Sequence, residues 1–407
     1  MKKVFAVLSP ALRSTLFAIL ILSFTTVSFA RSATSKATTS KTKTAKVTEN
    51  SSAQKKMSAK RHSRRTRRSA NGRRHRRFYE RFYMSSYADG IAEGDQAAGE
   101  DPIVRAAAVD ALGNMNGTVV AIDPTSGRVL AMVNQKLALS EGAQPCSTIK
   151  LVTSLAALNE GIVDKDTEVP LSRRYKMTLT HAIAMSNNQY FEVLGRRLGF
   201  DKVAYYARQF GLGELAGYNI EGEHLGAYPE EEIPAKQGGV GKMCSYGEGV
   251  SMTPLQLGAI VSAIANGGTL YYMQHPNSPE QVADFQPRIK RQLEITQLIP
   301  QLTEGMAATV EYGTGRSVRY NFSEEQILGK TGTCSKDGTR FGWFASYANT
   351  QYGRIVTVVF LQGGRPTFGP KAAEIAGRLY RNLYDHSFFA TAPTTERTNE
   401  NAVGVAH

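Results

Sequence analysis

Three short groups of side chains in this 407-residue sequence have the types and spacing for covalent chemistry. Ser147 and Lys150 stand three positions apart, which on a helix puts a hydroxyl and an amine one turn apart on one face. A serine hydroxyl becomes a good nucleophile only when a neighbour accepts its proton. Lysine can do this when burial or a second cation lowers its pKa. Ser186 and Asn188 add a second hydroxyl and a carboxamide. Lys330, Thr331, Gly332 and Thr333 follow the apolar pair Ile327 and Leu328 and read as an edge strand carrying a cation and two hydroxyls, with Gly332 letting a ligand lie close along the backbone. The first two spacings also occur by chance at Ser40 and Lys43, Ser52 and Lys55, and Ser69 and Asn71. The plain alternatives are a polar patch at Ser186 and a surface hairpin lysine at Lys330. Ser147 is set apart by Pro145 and Cys146 before it and by an apolar helical run after it.

The elements that must position these groups are legible as periodicity. Residues 117–123 and 128–133 read as strand, turn, strand. Residues 147–158 carry apolar side chains at helical spacing, and 181–198 read as a second helix closed by Gly199. Thr253 and Pro254 open a third helix, which stops at Gly267. Residues 341–348 and 354–361 read as two strands, and 370–384 as a closing helix.

The net charge of +14 is concentrated near the N-terminus. Residues 31–81 hold 18 Lys and Arg against Glu49 and Glu80, so the globular remainder is mildly acidic. Before them, Lys2 and Lys3 precede an apolar stretch ending in Ser28, Phe29 and Ala30, which reads as an export signal or an uncleaved membrane anchor. The expected organisation is a signal peptide or anchor at 1–30, a disordered basic tether at 31–88, a globular domain at 89–389 and a disordered tail at 390–407. Behind an export signal, the basic clusters of residues 31–81 suit an anionic cell-wall polymer or lipid headgroups rather than nucleic acid, or act as a solvated spacer. Three cysteines are too few for a disulfide framework, and no Cys/His spacing suggests a metal.

In chain order, Ser147 with Lys150, Ser186 with Asn188, and Lys330 to Gly332 resemble the S-x-x-K, S-x-N, K-T-G set of penicillin-binding proteins and serine β-lactamases. Residues 145–158 are similar to that family's nucleophile helix. Residues 246–257, and 329–333 with 343–347, are similar to transpeptidase domains of penicillin-binding proteins. The resemblance spans roughly residues 101–386. It implies an α+β fold in which helices flank an antiparallel sheet and an all-helical lobe carries Ser186, with the site between lobe and sheet. It also implies a peptidoglycan D,D-transpeptidase outside the cytoplasm, forming a serine acyl-enzyme with D-Ala-D-Ala stem peptides and acylated by β-lactams. Ser147 would attack, Lys150 would take its proton, and Ser186 would protonate the leaving amine. The backbone N–H groups of Ser147 and Thr333 would form the oxyanion hole, and Asn188 would hold the substrate amide. Lys330, kept charged, would bind the terminal carboxylate with Thr331 and Thr333. No metal or organic cofactor is implied.

Cys146 stands where transpeptidases more often have glycine, and Cys334 directly follows Thr333. If both motifs flank one pocket the sulfurs are neighbours, and some carbapenem-hydrolysing class A β-lactamases have a disulfide at matching positions. A Cys146–Cys334 bond is therefore expected; the alternative is two buried free thiols. Cys244 has no assigned role. A serine β-lactamase and a D,D-carboxypeptidase are the enzymatic rivals. The segment Glu214 to Asn219 is one residue too long for the class A Glu-x-x-x-Asn pattern. An envelope-tethered β-lactam or peptidoglycan binder without chemistry is the third alternative, disfavoured by the intact set of reactive side chains.

Overall fold

The computed structural model describes residues 81–350 and 353–391. The expected signal or anchor at 1–30, the expected tether up to residue 80 and the expected tail beyond 391 lie outside the described residues. Among the described residues no helix is long and apolar enough to cross a membrane.

Five antiparallel strands form the central sheet: β1 (Gly117–Ile122), β2 (Val129–Val133), β3 (Ile327–Lys336), β4 (Thr339–Thr350) and β5 (Gly353–Gly363), in the order β2-β1-β5-β4-β3. Successive strand residues point to opposite faces, and here both faces are buried. Val120 and Ile122, Trp343, Val358 and Phe360 join one core. Val119 and Ala121, Phe344, Val359 and Leu361 join the other. This explains why these strands read as continuous apolar runs rather than as alternation. Helices α1 (Pro102–Leu112) and α6 (Gly369–Asp385) cover the second face. Helices α2 (Lys150–Asn159), α3 (Leu179–Ala184), α4 (Asn188–Leu198) and α5 (Pro254–Asn266) belong to the first core. Thr253 and Gln256 cap α5 reciprocally, with Pro254 at its first turn, a start signal legible in the sequence.

Two expectations change. The helix read over 181–198 is two helices. Ser186 lies in the left-handed region at φ 54°, which a helix cannot accommodate, and the Asn187 side chain starts α4 by accepting from the Tyr190 N–H at 2.9 Å. Residues 81–88, assigned to the tether, are bonded to the domain: the Tyr83 N–H donates to the Gly338 carbonyl at 3.1 Å and Tyr87 bridges to Met115. Phe82, Tyr83 and Tyr87 supply contact surface that the Ser/Lys/Arg stretch before them lacks. At the other end, residues 388–391 form a helical turn with Phe389 buried, so the domain runs past the expected start of the tail at 390.

The edge strand β3 lies against the turn that carries Ser147. That turn, Cys146–Ile149, is a single 3-10 turn leading into α2, whose residues from Lys150 to Leu158 are all buried. A side-chain carbon at Gly332 would fall 3.0 Å from the Pro145 carbonyl oxygen and 3.2 Å from Thr148 Cγ2. The missing side chain thus makes room for the turn that carries Ser147, a closer constraint than room for a ligand. Trp343 Nε1 donates to the Gln144 carbonyl at 3.0 Å just ahead of the turn. The expected Cys146–Cys334 disulfide is present, with Cα atoms 5.6 Å apart, within the ordinary range. Cys146 has φ 51°, backbone that glycine adopts more readily, so the cysteine is a strained substitute held by its cross-link.

Gly332→Ala is predicted to destabilise the domain by about 1–3 kcal/mol through overpacking; urea unfolding at wild-type midpoint would show that strand and turn do not touch. Cys334→Ser is predicted to remove about 2–5 kcal/mol. Alkylation of the denatured, unreduced protein should modify Cys244 alone, and three modified thiols would count against the bond.

Candidate active site

The amine of Lys150 is the hub. Its Nζ lies 2.9 Å from Ser147 Oγ, 2.8 Å from the Ser186 carbonyl oxygen, 3.1 Å from Ser186 Oγ and 2.6 Å from Asn188 Oδ1. Ser147 and Lys150 share one helical face, as their spacing requires. Ser186 reaches the amine because the chain turns back at the α3–α4 break, so the strained φ of this residue aims both its oxygens inward. The Phe191 ring lies 5.4 Å from the same nitrogen. Lys150 is fully buried. Burial first, and the Lys330 cation second, hold its pKa well below the ordinary lysine value, with Glu192 opposing.

Lys330 is also fully buried and donates to Ser186 Oγ at 2.9 Å and to the Thr331 carbonyl at 3.0 Å. Ser186 therefore sits between the two amines. Burial alone pushes the Lys330 pKa down to about 7. Its partners are a hydroxyl and a carbonyl, and neither offsets the lost hydration of an ammonium.

Asn188 is engaged at both ends, since its Nδ2 donates to the Tyr246 hydroxyl at 2.7 Å while Oδ1 faces Lys150. One N–H and one lone pair of the carboxamide stay unused by these two bonds. Thr331 Oγ1 lies 2.6 Å from Thr314 Oγ1, and Thr333 Oγ1 accepts from the Gly369 N–H at 2.8 Å, at the start of α6.

A cleft of about 320 Å³ opens on Ser147, Ser186, Thr331 and Thr333. Four further lining residues, Thr314, Arg340, Phe368 and Pro370, escaped the sequence reading. They come from the turn after the helix Ile299–Glu311, from β4 and from the entry to α6, segments with no local pattern of their own. The one available signal was Arg340, a cation next to the apolar run of β4. Its Nε is buried and has no partner. None of these lining residues is a carboxylate. Glu214, the nearest sequence candidate for a deacylating base, is paired with Lys290 and Arg291 at 2.8 Å each. Among the described residues no group of three or more His, Cys, Asp or Glu side chains could hold a metal ion.

With this geometry established, comparison with known proteins is informative. The penicillin-binding protein transpeptidase domain family matches residues 117–384. Stage V sporulation protein D of Bacillus subtilis is 29% identical over 317 residues, covering 65% of this chain and 48% of that protein. The peptidoglycan D,D-transpeptidase MrdA of Acinetobacter baumannii is 25% identical over 352 residues, covering 66% and 51%. The chain thus spans about half the length of these relatives. Among solved structures, a peptidoglycan glycosyltransferase from Burkholderia ambifaria superposes with a TM-score of 0.59 at 19% identity, over 73% of this chain and 98% of that one. Pseudomonas aeruginosa PBP2 gives 0.57 at 22% identity, over 71% and 77%. These two share the α+β fold, a five-stranded antiparallel sheet flanked by helices. A family match across most of the described residues, the three motifs meeting at one cleft and the shared fold agree, and the chain belongs to the penicillin-binding protein transpeptidase domain family.

Proposed function

We propose that this chain is a serine-type peptidoglycan D,D-transpeptidase acting outside the cytoplasm on D-Ala-D-Ala stem peptides and acylated by β-lactams at Ser147. The observation that carries this reading is the unbroken run of hydrogen-bond contacts Ser147–Lys150–Ser186–Lys330. Neutral Lys150 has two N–H bonds and one lone pair. The Ser186 carbonyl and Asn188 Oδ1 can only accept, so they take the two N–H groups and leave the lone pair for the Ser147 hydroxyl proton.

The reaction then follows in balanced steps. Ser147 Oγ bonds to the carbonyl carbon between the two alanines as its proton passes to Lys150. The oxyanion is held by the backbone N–H groups of Ser147 and Thr333. On collapse the C–N bond breaks, and the leaving amine takes the Ser186 proton, which Lys150 restores. An acceptor amine attacks the ester, gives up its proton along the same route and frees Ser147. Asn188 holds Lys150 through Oδ1, and its second N–H is proposed to hold the substrate amide. Protonated Lys330, the Thr331 and Thr333 hydroxyls and the Arg340 guanidinium bind the terminal carboxylate. A rapid β-lactamase needs a base beside the ester to activate water. The cleft lining contains no carboxylate and Glu214 is tied into ion pairs, which favours a long-lived acyl-enzyme over hydrolysis. The basic segment before residue 81 is proposed to meet an anionic wall polymer or lipid headgroups.

Lys150→Ala is expected to abolish labelling by fluorescent penicillin, read by mass spectrometry at Ser147, while thermal unfolding stays cooperative; undiminished labelling would exclude Lys150 as the base. The pH dependence has a definite sign. Lys330 is protonated below its pKa of about 7, so the second-order acylation rate of the free protein should fall as pH rises past that value. A bound carboxylate stabilises the ammonium and raises its pKa. The first-order rate at saturating penicillin should therefore hold to higher pH. Equal pH profiles for the two rates would remove Lys330 from carboxylate binding.

A further inference from the structure

Arg340 lines the cleft, and the Phe82 ring is the only partner recorded for its guanidinium among the described residues, 5.9 Å from Cζ to the ring centroid. That separation is within cation–π range. We propose that residues 81–88 form a strap that positions the substrate-binding wall, with Phe82 as the positioning residue for Arg340. The inference rests on the reading of Arg340 as a carboxylate-binding residue.

The strap touches the two segments from which that wall is built. The first is the β3–β4 hairpin. Tyr83 donates its N–H to the Gly338 carbonyl at 3.1 Å, and its ring occupies the space a side chain on Gly338 would need, 2.3 Å from that carbon position. Arg340 stands two residues further along. The second is the loop from β5 to α6, which delivers Phe368 and Pro370 to the cleft. Ser85 and Ser86 lie against Gly363, and the Phe82 side chain lies against Gly364. The Thr367 hydroxyl donates to the Ser86 hydroxyl at 3.0 Å, with both residues buried. The strap is in turn fixed to the sheet, because the Asn116 N–H donates to the Ser86 carbonyl at 2.8 Å. One short segment thus braces both the hairpin and the loop.

An arginine without an ion-pair partner keeps its full positive charge for an incoming anion, but it also has rotamer freedom that binding must remove. An aromatic face restrains the guanidinium without neutralising it. Loss of the ring should therefore weaken penicillin binding and spare the chemical step. The experiment measures the half-saturating penicillin concentration and the limiting acylation rate of the full chain by stopped-flow labelling. Phe82→Leu and Phe82→Met fill the space without a ring. Each should raise the half-saturating concentration about two- to fivefold at an unchanged limiting rate, while Phe82→Tyr should behave as wild type. Arg340→Ala should raise it about tenfold or more, and Phe82→Leu should then add nothing. If Arg340→Ala changes nothing, the carboxylate reading of Arg340 fails, and the strap's role with it. If Arg340→Ala weakens binding but the ring-less variants do not, or do so equally in both backgrounds, the strap inference is overturned and the Arg340 reading stands. A ring-less variant that lowers the limiting rate also overturns it.

Discussion

Two buried lysines share one serine hydroxyl, and the rest of the site is arranged around that contact. Lys150 and Lys330 are both fully buried, with Ser186 Oγ 3.1 Å from one and 2.9 Å from the other. Two ammonium ions in that position would each forfeit hydration worth several kcal/mol. Burial accordingly lowers both pKa values, and the neighbouring Lys330 cation adds to the lowering at Lys150. The two amines differ in what surrounds them. Lys150 faces two acceptor oxygens and the Ser147 hydroxyl, whereas Lys330 lies on β3, the strand that walls the cleft. In the proposed reaction an arriving carboxylate stabilises charge on Lys330, and that charge disfavours a proton on Lys150. Substrate binding would then prepare the base before chemistry begins.

Such tuning needs fixed distances, because an amine displaced by an ångström loses its partner. The fold supplies the rigidity where β3 meets the turn that carries Ser147. Gly332 brings strand and turn together, Trp343 anchors the carbonyl just before the turn, and the Cys146–Cys334 disulfide joins the residues flanking Ser147 and Thr333. The cross-link also explains how a cysteine is tolerated at φ 51°. A non-glycine residue there costs about 1–3 kcal/mol when unsupported, and a native disulfide closing a long loop offsets that amount.

What the sequence revealed follows from how local each constraint is. The Ser147–Lys150 spacing is a property of one helix, and the Lys330–Thr333 strand a property of one edge, so both were legible as patterns. The order of the three motifs resolved the ambiguity left by the copies in the basic segment. The break at Ser186 was missed: residues 181–198 carry apolar side chains at helical spacing, which masked the Asn187 cap that starts α4, and the contact with Lys150 depends on a distant segment. The lowered Lys330 pKa and the engagement of Asn188 by Tyr246 likewise depend on distant segments. Thr314, Arg340 and Phe368 reach the cleft from three separate places with no motif to mark them. Residues 81–88 were read as tether because the basic run before them dominated the composition, although their aromatic residues anchor them to the domain.

The two sides of the cleft are thus held by different means. The reacting side is fixed by a covalent cross-link, a glycine contact and fully buried amines, all of which resist displacement. The side that carries Arg340 rests on a hairpin and a loop braced by a strap whose Tyr83 is largely open to solvent and whose Tyr87 is half-exposed. Buried covalent and close-packed contacts yield only with the domain, whereas exposed backbone hydrogen bonds open locally at much lower free energy. In the proposed reaction this gives a division of labour: proton transfer among Ser147, Lys150 and Ser186 would be insulated from motion at the surface, while the position of Arg340 and Phe368 would not. Under the proposed reading, substrate recognition would therefore be the step through which residues 81–88 have physical leverage on this site.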